Sequence, residues 1–312
     1  MNTILIAGGA GFIGSFLTES LLEKGYEITV VDDLSSGQES NLSKIRSDIE
    51  FVKSDISEFS SQKHFDIIVN LASRASRVEW ETLPVEVALT NSKGNDNLIR
   101  LALRDKSLYV YASSSEIYGD PDIVPTPESY IGRVSTIGSR SPYDEGKRFG
   151  EALIKSYERE YGLKNIIMRL FNTYGPRMRG GNFYGRVVDR FIQQAMNGEP
   201  LTIYGNGNQT RSFTYVSDAV HAILLLLAKG SSGEIYNVGN DKEIRILELA
   251  DKVISTCKSR SSKLFLPLPE SDPLRRSADI SKLKSLGFTH RVSLEKGIIN
   301  IFDQINLAAE NK

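Results

Sequence analysis

The stretch Gly8-Gly9-Ala10-Gly11-Phe12-Ile13-Gly14 constrains this chain more than any other. It follows the apolar run Thr3–Ala7 and opens an amphipathic stretch of helical spacing, Gly11–Lys24. A chain that leaves a strand, turns on glycines and enters a helix at once is built for close backbone approach. Glycine permits the tight turn, lets a pyrophosphate come near the main chain, and lets helix and strand pack closely. The helix N-terminus then offers unsatisfied N–H donors and a partial positive charge. Gly8, Gly11 and Gly14 are spaced one residue wider in the first gap than the common dinucleotide fingerprint, so the triplet needs its context. That context includes Asp32, at the end of a second run, Glu27–Val31. A carboxylate there accepts from ribose hydroxyls and repels a 2′-phosphate, which favours NAD over NADP.

The rhythm of the first half supports the same plan. Thr3–Ala7, Glu27–Val31, Glu50–Val52, Asp66–Asn70, Leu108–Ala112 and Asn165–Arg169 read as strands. Helical patterns lie between them: Gly11–Lys24, a short one around Leu42–Ile45, Pro84–Asp105 and Tyr143–Tyr161. Strands alternating with helices predict an α/β fold, a Rossmann-like doubly wound parallel sheet. Past residue 175 the rhythm changes. A helix is expected over Val187–Asn197, a strand over Leu201–Tyr204, one strand and helix within Arg211–Lys229, a strand over Ile235–Val238, and helices over Ile246–Lys258 and Leu294–Asn306. The expected organisation is an NAD-binding domain over 1–175 that also receives about 210–240. A smaller, partly interleaved C-terminal substrate lobe takes 176–209 and 241–312.

Composition narrows the partners. The chain has 312 residues, 40% of them hydrophobic, enough to bury a proper core. Its 38 basic and 39 acidic side chains nearly cancel, which argues against gripping nucleic acid or an acidic membrane by bulk charge. Cys257 stands alone, and His64, His221 and His290 have no metal-ligand spacing, so neither a disulfide nor a metal site is expected. No apolar run reaches the roughly 18 residues of a membrane helix. A soluble, cytoplasmic protein is the expectation.

A second constellation carries chemistry. Tyr143 and Lys147 stand four apart at the start of a helical stretch, which puts them on one face. A nearby ammonium favours a phenolate, the form that can act as a general base. Ser113-Ser114-Ser115-Glu116 directly follows the strand Leu108–Ala112. Ligands of a doubly wound sheet bind beyond the carboxyl ends of strands, so these residues share a crevice with the glycine turn. A hydroxyl, a tyrosine and a lysine beside NAD form an oxidation site for an alcohol.

These motifs, together with Ser113–Pro121, Tyr143–Arg148, Arg169–Met178, Gly185–Val188, Pro200–Gly205, Gln209–Phe213 and Asp272–Arg276, carry a likeness over nearly the whole chain. It resembles the extended short-chain dehydrogenase/reductases of the NAD-dependent epimerase/dehydratase family, and among them most the UDP-glucuronate decarboxylases. The resemblance implies a catalytic set of Ser114, Glu116, Tyr143, Lys147 and Arg276. It implies cofactor contacts from Gly8, Gly11, Phe12, Ile13 and Gly14, from Asp32, Asp55 and Ile56, and from Leu71, Ala72 and Asn91, besides Tyr143 and Lys147. It implies that Ser115, Asn172, Arg186, Tyr204, Arg211 and Arg276 hold a UDP-sugar. Arginines suit a diphosphate through forked hydrogen bonds, and a tyrosine offers a face to uracil.

Neighbouring activities within the family differ at Ser114-Ser115-Glu116. The 4,6-dehydratases carry Thr-Asp-Glu there, and Ser115 lacks the proton-donating carboxyl. Typical 4-epimerases have a small or hydroxyl residue where this chain has Glu116. The decarboxylases carry Thr-Ser-Glu, from which this chain differs by one hydroxyl-preserving change, and they share Arg276. Decarboxylation of UDP-glucuronate to UDP-xylose is thus the expected activity. A 4-epimerase of UDP-glucose or UDP-glucuronate is the alternative, and a non-catalytic NAD-binding protein the third reading. One segment departs from the family: Arg74, Arg77 and Trp80 replace its Pro- and Tyr-rich loop. The two arginines either meet a substrate carboxylate or face solvent, and Trp80 either walls the pocket or packs. The resemblance also implies a homodimer through helices Asn91–Asp105 and Asp144–Tyr161.

Overall fold

A computed structural model describes residues 2–178, 187–268 and 274–310. Strands β1 (Thr3–Ala7), β2 (Glu27–Asp32), β3 (Glu50–Lys53), β4 (Ile67–Asn70), β5 (Leu108–Ser114) and β6 (Asn165–Leu170) join Glu234–Val238 in one seven-stranded sheet. All six pairings are parallel, in the order Glu234–Val238, β6, β5, β4, β1, β2, β3. The chain therefore builds outward from β1 to one side, then returns to start β4 on the other. The crevice at that reversal, beyond Ala7 and Asn70, is where a sheet of this kind takes its ligand.

Alternation along each strand divides the core. Ile4 and Ile6 pack on one face with Leu17 and Leu21 of α1 (Phe12–Leu22) and with Ile223 and Leu226 of the helix Val216–Lys229. Leu5 and Ala7 face the other way, into a cluster with Leu98, Ile99 and Ala102 of α4 (Asn95–Asp105) and Ile154 of α5 (Ser141–Tyr161). Parallel strands covered on both faces need such near-continuous apolar runs. A third cluster belongs to the lobe: Phe191, Ile192, Leu249, Val253, Ile298 and Ile301 from the helices Val187–Met196, Ile246–Thr256 and Leu294–Glu310.

Most expected elements appear within a residue or two of their bounds, and the exceptions have identifiable causes. The helix expected over Pro84–Asp105 is broken into α3 (Pro84–Leu89), a π-helical turn Thr90–Gly94, and α4. Three successive side chains turn back on the preceding turn. Thr90 Oγ1 donates to Glu86 O, Asn91 Nδ2 to Val87 O and Ser92 Oγ to Ala88 O, at 2.8, 2.9 and 2.8 Å. Carbonyls shared in this way loosen the helical ladder and admit an extra residue. A further helix, α2 (Arg77–Thr82), lies in a segment expected to be a loop. The short helix sought around Leu42–Ile45 is a single 3₁₀ turn, Glu39–Leu42. Arg211–Lys229 carries two short strands, Thr210–Ser212 and Thr214–Tyr215, ahead of its helix. Finally, Ala278, Ile280, Leu283 and Phe288 pack into the core of the main sheet, although sequence assigned them to the lobe.

A small three-stranded sheet, which joins Thr210–Ser212 to segments expected in the lobe, has one consequence for the site. Thr210–Ser212 lies between Glu243–Arg245 and Arg275–Arg276, and the parallel register sets Arg276 beside Arg211. Among the described residues no helix is long and apolar enough to cross a membrane.

One buried ion pair braces β5 and β6 behind the site. Arg169 donates from Nε and Nη2 to the two oxygens of Glu151, at 3.0 and 2.7 Å, and Ser113 Oγ donates to the same carboxylate. Removing one partner leaves a buried charge uncompensated. Glu151→Ala is expected to lower unfolding free energy by about 3–5 kcal/mol. Glu81→Ala, which breaks the exposed Arg77–Glu81 pair, should cost under about 1 kcal/mol. Urea titration of both variants checks the contrast.

Candidate active site

The ends of six strands and the face of the lobe line a cavity of about 520 Å³. Its floor is the glycine turn. Gly8 has φ +77°, and a Cβ there would lie 2.8 Å from Ala72 N, while a Cβ at Gly14 would strike the Gly8 carbonyl. The turn from β1, the start of α1 and the chain leaving β4 are thus packed backbone against backbone. Gly11, Phe12, Ile13 and Gly14 line the cavity where α1 begins. Asp32, buried at the end of β2, accepts from Ala10 N at 3.0 Å and Leu34 N at 2.9 Å. Burial pushes its carboxyl up, opposed by those two N–H groups. A floor with no room for side chains, a helix N-terminus and a carboxylate at the neighbouring strand end fit a dinucleotide.

Asp55 and Ile56 after β3 and Leu71 and Ala72 after β4 line the same cavity. Asn91 does not. Its side chain lies buried in the π-helical turn, accepting from Ser73 Oγ at 3.1 Å, so it reaches the cavity only through Ser73.

Ser114, Ser115, Glu116, Tyr143 and Lys147 converge on the opposite wall. Ser114 closes β5 and accepts from Glu116 N at 3.2 Å, capping the 3₁₀ turn Ser115–Tyr118. Tyr143 and Lys147 share one face of α5, with the lysine nitrogen 5.8 Å from the tyrosine ring. Lys147 is fully enclosed and donates to Ala112 O at 2.7 Å. Burial draws its ammonium down to about 7, against a smaller opposing pull from Glu151. A group that changes charge near neutrality suits proton transfer.

The most concentrated charge is at Glu116, which forms ion pairs with both Arg140 and Arg276. Arg140 also meets Asp144 at 3.4 Å, whose carboxyl burial raises and whose arginine neighbours pull back. Sequence reasoning missed Arg140. It stands just before α5, four residues from Asp144, an ordinary helix-surface spacing that gave no hint of Glu116. Asn172, just after β6, and Tyr204, Arg211 and Arg276 from beyond it complete the lining. Asn172 Nδ2 is buried without a hydrogen-bond partner among the described residues, and so is Nε of Arg190, whose guanidinium lies 5.1 Å from the Tyr204 ring. Arg190 is a second residue the sequence did not flag. Arg186 lies outside the described residues.

The altered loop resolves into structure. Arg74 faces Glu79 at 3.3 Å and Glu86 at 3.0 Å, and Arg77 faces Glu81 at 3.2 Å. Trp80 both lines the cavity and packs, in a cluster with Val87 and Tyr143. No group of three or more His, Cys, Asp or Glu among the described residues is arranged to hold a metal.

Residues 4–239 match the family described as NAD dependent epimerase/dehydratase. A Danio rerio protein named UDP-glucuronic acid decarboxylase 1 is 42% identical over 298 residues, 95% of this chain and 70% of that protein. A Thermotoga maritima UDP-glucose 4-epimerase solved with UDP-glucose superimposes with a TM-score of 0.91 at 30% identity, covering 98% of this chain and 99% of that one. A Bacillus cereus UDP-glucuronic acid 4-epimerase variant, solved with NAD and a fluorinated UDP-glucuronic acid, gives 0.88 at 27% identity, with 98% and 99% covered.

The burial of Lys147 makes a stability prediction. An unfolded chain keeps the lysine proton up to 10.5, whereas the folded protein releases it near 7. Between those values the unfolded state binds more protons, so stability rises with pH. Lys147→Met removes the buried ammonium. The variant should be more stable than the parent at pH 7, and the gain should shrink towards pH 10.5, as read by denaturant titration across that range.

Proposed function

The chain belongs to the NAD-dependent epimerase/dehydratase family, and we propose that within it the protein decarboxylates UDP-glucuronate to UDP-xylose through a 4-keto sugar. The observation that carries this reading is Glu116, held between Arg140 and Arg276 two residues beyond Ser114. It sets a carboxylate and two guanidiniums beside the hydroxyl, phenol and amine of the oxidation site, and the likeness to the Danio rerio decarboxylase supports it.

Bound NAD supplies reversible oxidation at carbon 4 of the sugar. The turn from Gly8 to Gly14 and Asp32 hold that cofactor, with Asp55, Ile56, Leu71 and Ala72 along its length. Tyr143 takes the proton of the 4-hydroxyl, and Ser114 Oγ steadies the same oxygen. Lys147, fixed on Ala112 O, passes charge to or from the phenol as the proton moves. A ketone at carbon 4 is β to the carboxylate on carbon 5. Loss of carbon dioxide then places electrons in an enolate, which the donors that hold the oxygen stabilise. Glu116, oriented by Arg140 and Arg276, organises proton return to carbon 5. Arg211 and Arg276 hold the diphosphate by forked hydrogen bonds, with Asn172 and Ser115 on the sugar side and the ring of Tyr204 on the base. We assign Arg186 to the same diphosphate on sequence alone. We also propose a cytoplasmic homodimer joined through α4 and α5, where Phe149 and Tyr161 are exposed.

A 4-epimerase reading is favoured by the two solved epimerases that superimpose so closely. It uses the same tyrosine, lysine and serine but leaves Glu116 and its two arginines without a task.

Purified protein given NAD and UDP-glucuronate should release carbon dioxide and form a UDP-pentose. Inversion at carbon 4 without carbon dioxide would establish the epimerase instead. Tyr143→Phe should lower turnover by roughly 10²–10⁴-fold, the scale of general-base catalysis, while NAD affinity stays within a few-fold. Full activity in that variant would remove Tyr143 from the mechanism.

A further inference from the structure

Tyr143 stands in the first turn of α5, and Arg140, the residue that caps this helix, makes no side-chain cap hydrogen bond. The tyrosine ring packs into a small apolar cluster with Val87. What meets it is Trp80, from a distant segment: the two rings stack with centroids 4.6 Å apart and planes 17° from parallel. Offset stacking at this distance is a favoured aromatic geometry and opposes rotation of either ring.

Trp80 is itself restrained from several sides. Its indole N–H donates to Arg74 O at 3.0 Å, and its backbone N–H to Ser76 O at 3.1 Å. The Arg140 guanidinium lies 5.2 Å from its ring centre. Arg74 anchors the same segment through Glu79 within α2 and Glu86 on α3. Both rings are nearly inaccessible, Trp80 and Tyr143 each 6% exposed, and Val87 closes the small cluster beneath them. The ion pairs of Arg74 thus serve to hold an indole, and the indole holds the phenol.

We infer that Trp80 is a positioning residue for Tyr143: α2 and its Arg74 ion pairs press the indole against the phenol and fix the direction in which its oxygen points. Lys147 lies on the same helix and Ser114 at the end of β5, so the angle of the Tyr143 ring decides whether its oxygen meets both. Proton transfer depends steeply on that angle, since misplacement by about 1 Å can cost roughly a hundredfold in rate. The inference rests on the proposed role of Tyr143 as base, but the stack itself can be read without any substrate.

Trp80 is the one tryptophan in the chain, so the tryptophan emission comes from this ring alone. Removing the stacked ring with Tyr143→Ala should change the intensity and position of that emission, whereas Tyr143→Phe, which keeps a stacking ring, should leave it close to the parent. An unchanged spectrum in Tyr143→Ala would overturn the inference whatever the substrate proves to be. In turnover, Trp80→Leu should lower kcat by roughly 10–100-fold with KM within about threefold, and Trp80→Phe, which restores a stacking ring, should recover kcat to within about threefold. An unchanged kcat in Trp80→Leu, or equal losses in both variants, would also overturn it. Failure of the parent protein to release carbon dioxide would instead count against the proposed reaction and leave the fluorescence result to decide the stack.

Discussion

Everything in the site depends on how closely three backbones meet at the centre of the sheet. The turn after β1 sits so near the chain leaving β4 that Gly8 has no space for a methyl group, and Gly14 brings α1 against the same turn. That contact fixes the reversal of strand order, and the reversal opens the crevice. The strand ends then deliver their residues to one place, because parallel strands all point their carboxyl ends the same way. Asp32, Asp55, Ala72 and Ser114 differ widely in sequence position yet line one cavity for this single reason.

The electrostatics follow a second pattern, in which the carboxylates and guanidiniums around Glu116 pair with one another. Glu116 lies between two arginines, and Arg140 reaches Asp144 as well. Lys147 is the exception in kind: enclosed, held by a carbonyl and drawn towards neutrality by burial. A lysine in that setting changes its charge with small changes around it, whereas the arginines keep theirs under all conditions. The site therefore separates groups that fix geometry from the group that responds to a proton.

What could be read from the sequence follows from how local each feature is. The glycine turn and the first six strands rest on contiguous residues whose periodicity survives in the structure. Tyr143 and Lys147 share a helix face by spacing alone. Arg211 and Arg276 do not announce their adjacency, since a strand register between distant segments sets it. Nor does spacing reveal that Trp80 meets Tyr143, or that Arg140 meets Glu116. The broken helix after Pro84 was hidden for another reason: Thr90, Asn91 and Ser92 look like ordinary polar surface positions until their side chains are seen on the preceding carbonyls. That same turn draws Asn91 away from the cavity. Arg74, for which the sequence left substrate carboxylate and solvent open, lines the cavity while pairing with Glu79 and Glu86.

The return of the chain to the main sheet after Arg276 bears on how the arginines of the site are held. Thr126 N donates to Ser277 O and Asp279 N to Thr126 O, while Asn237 Nδ2 donates to Asp279 O. Arg276 is therefore one residue from a seam sewn to the larger part of the molecule. Its guanidinium works at the end of a short lever with a fixed pivot, so little conformational freedom remains to be lost when a ligand arrives. Arg211, paired beside it, is leashed to the same pivot. Both arginines are therefore set in place by the main sheet before any ligand binds.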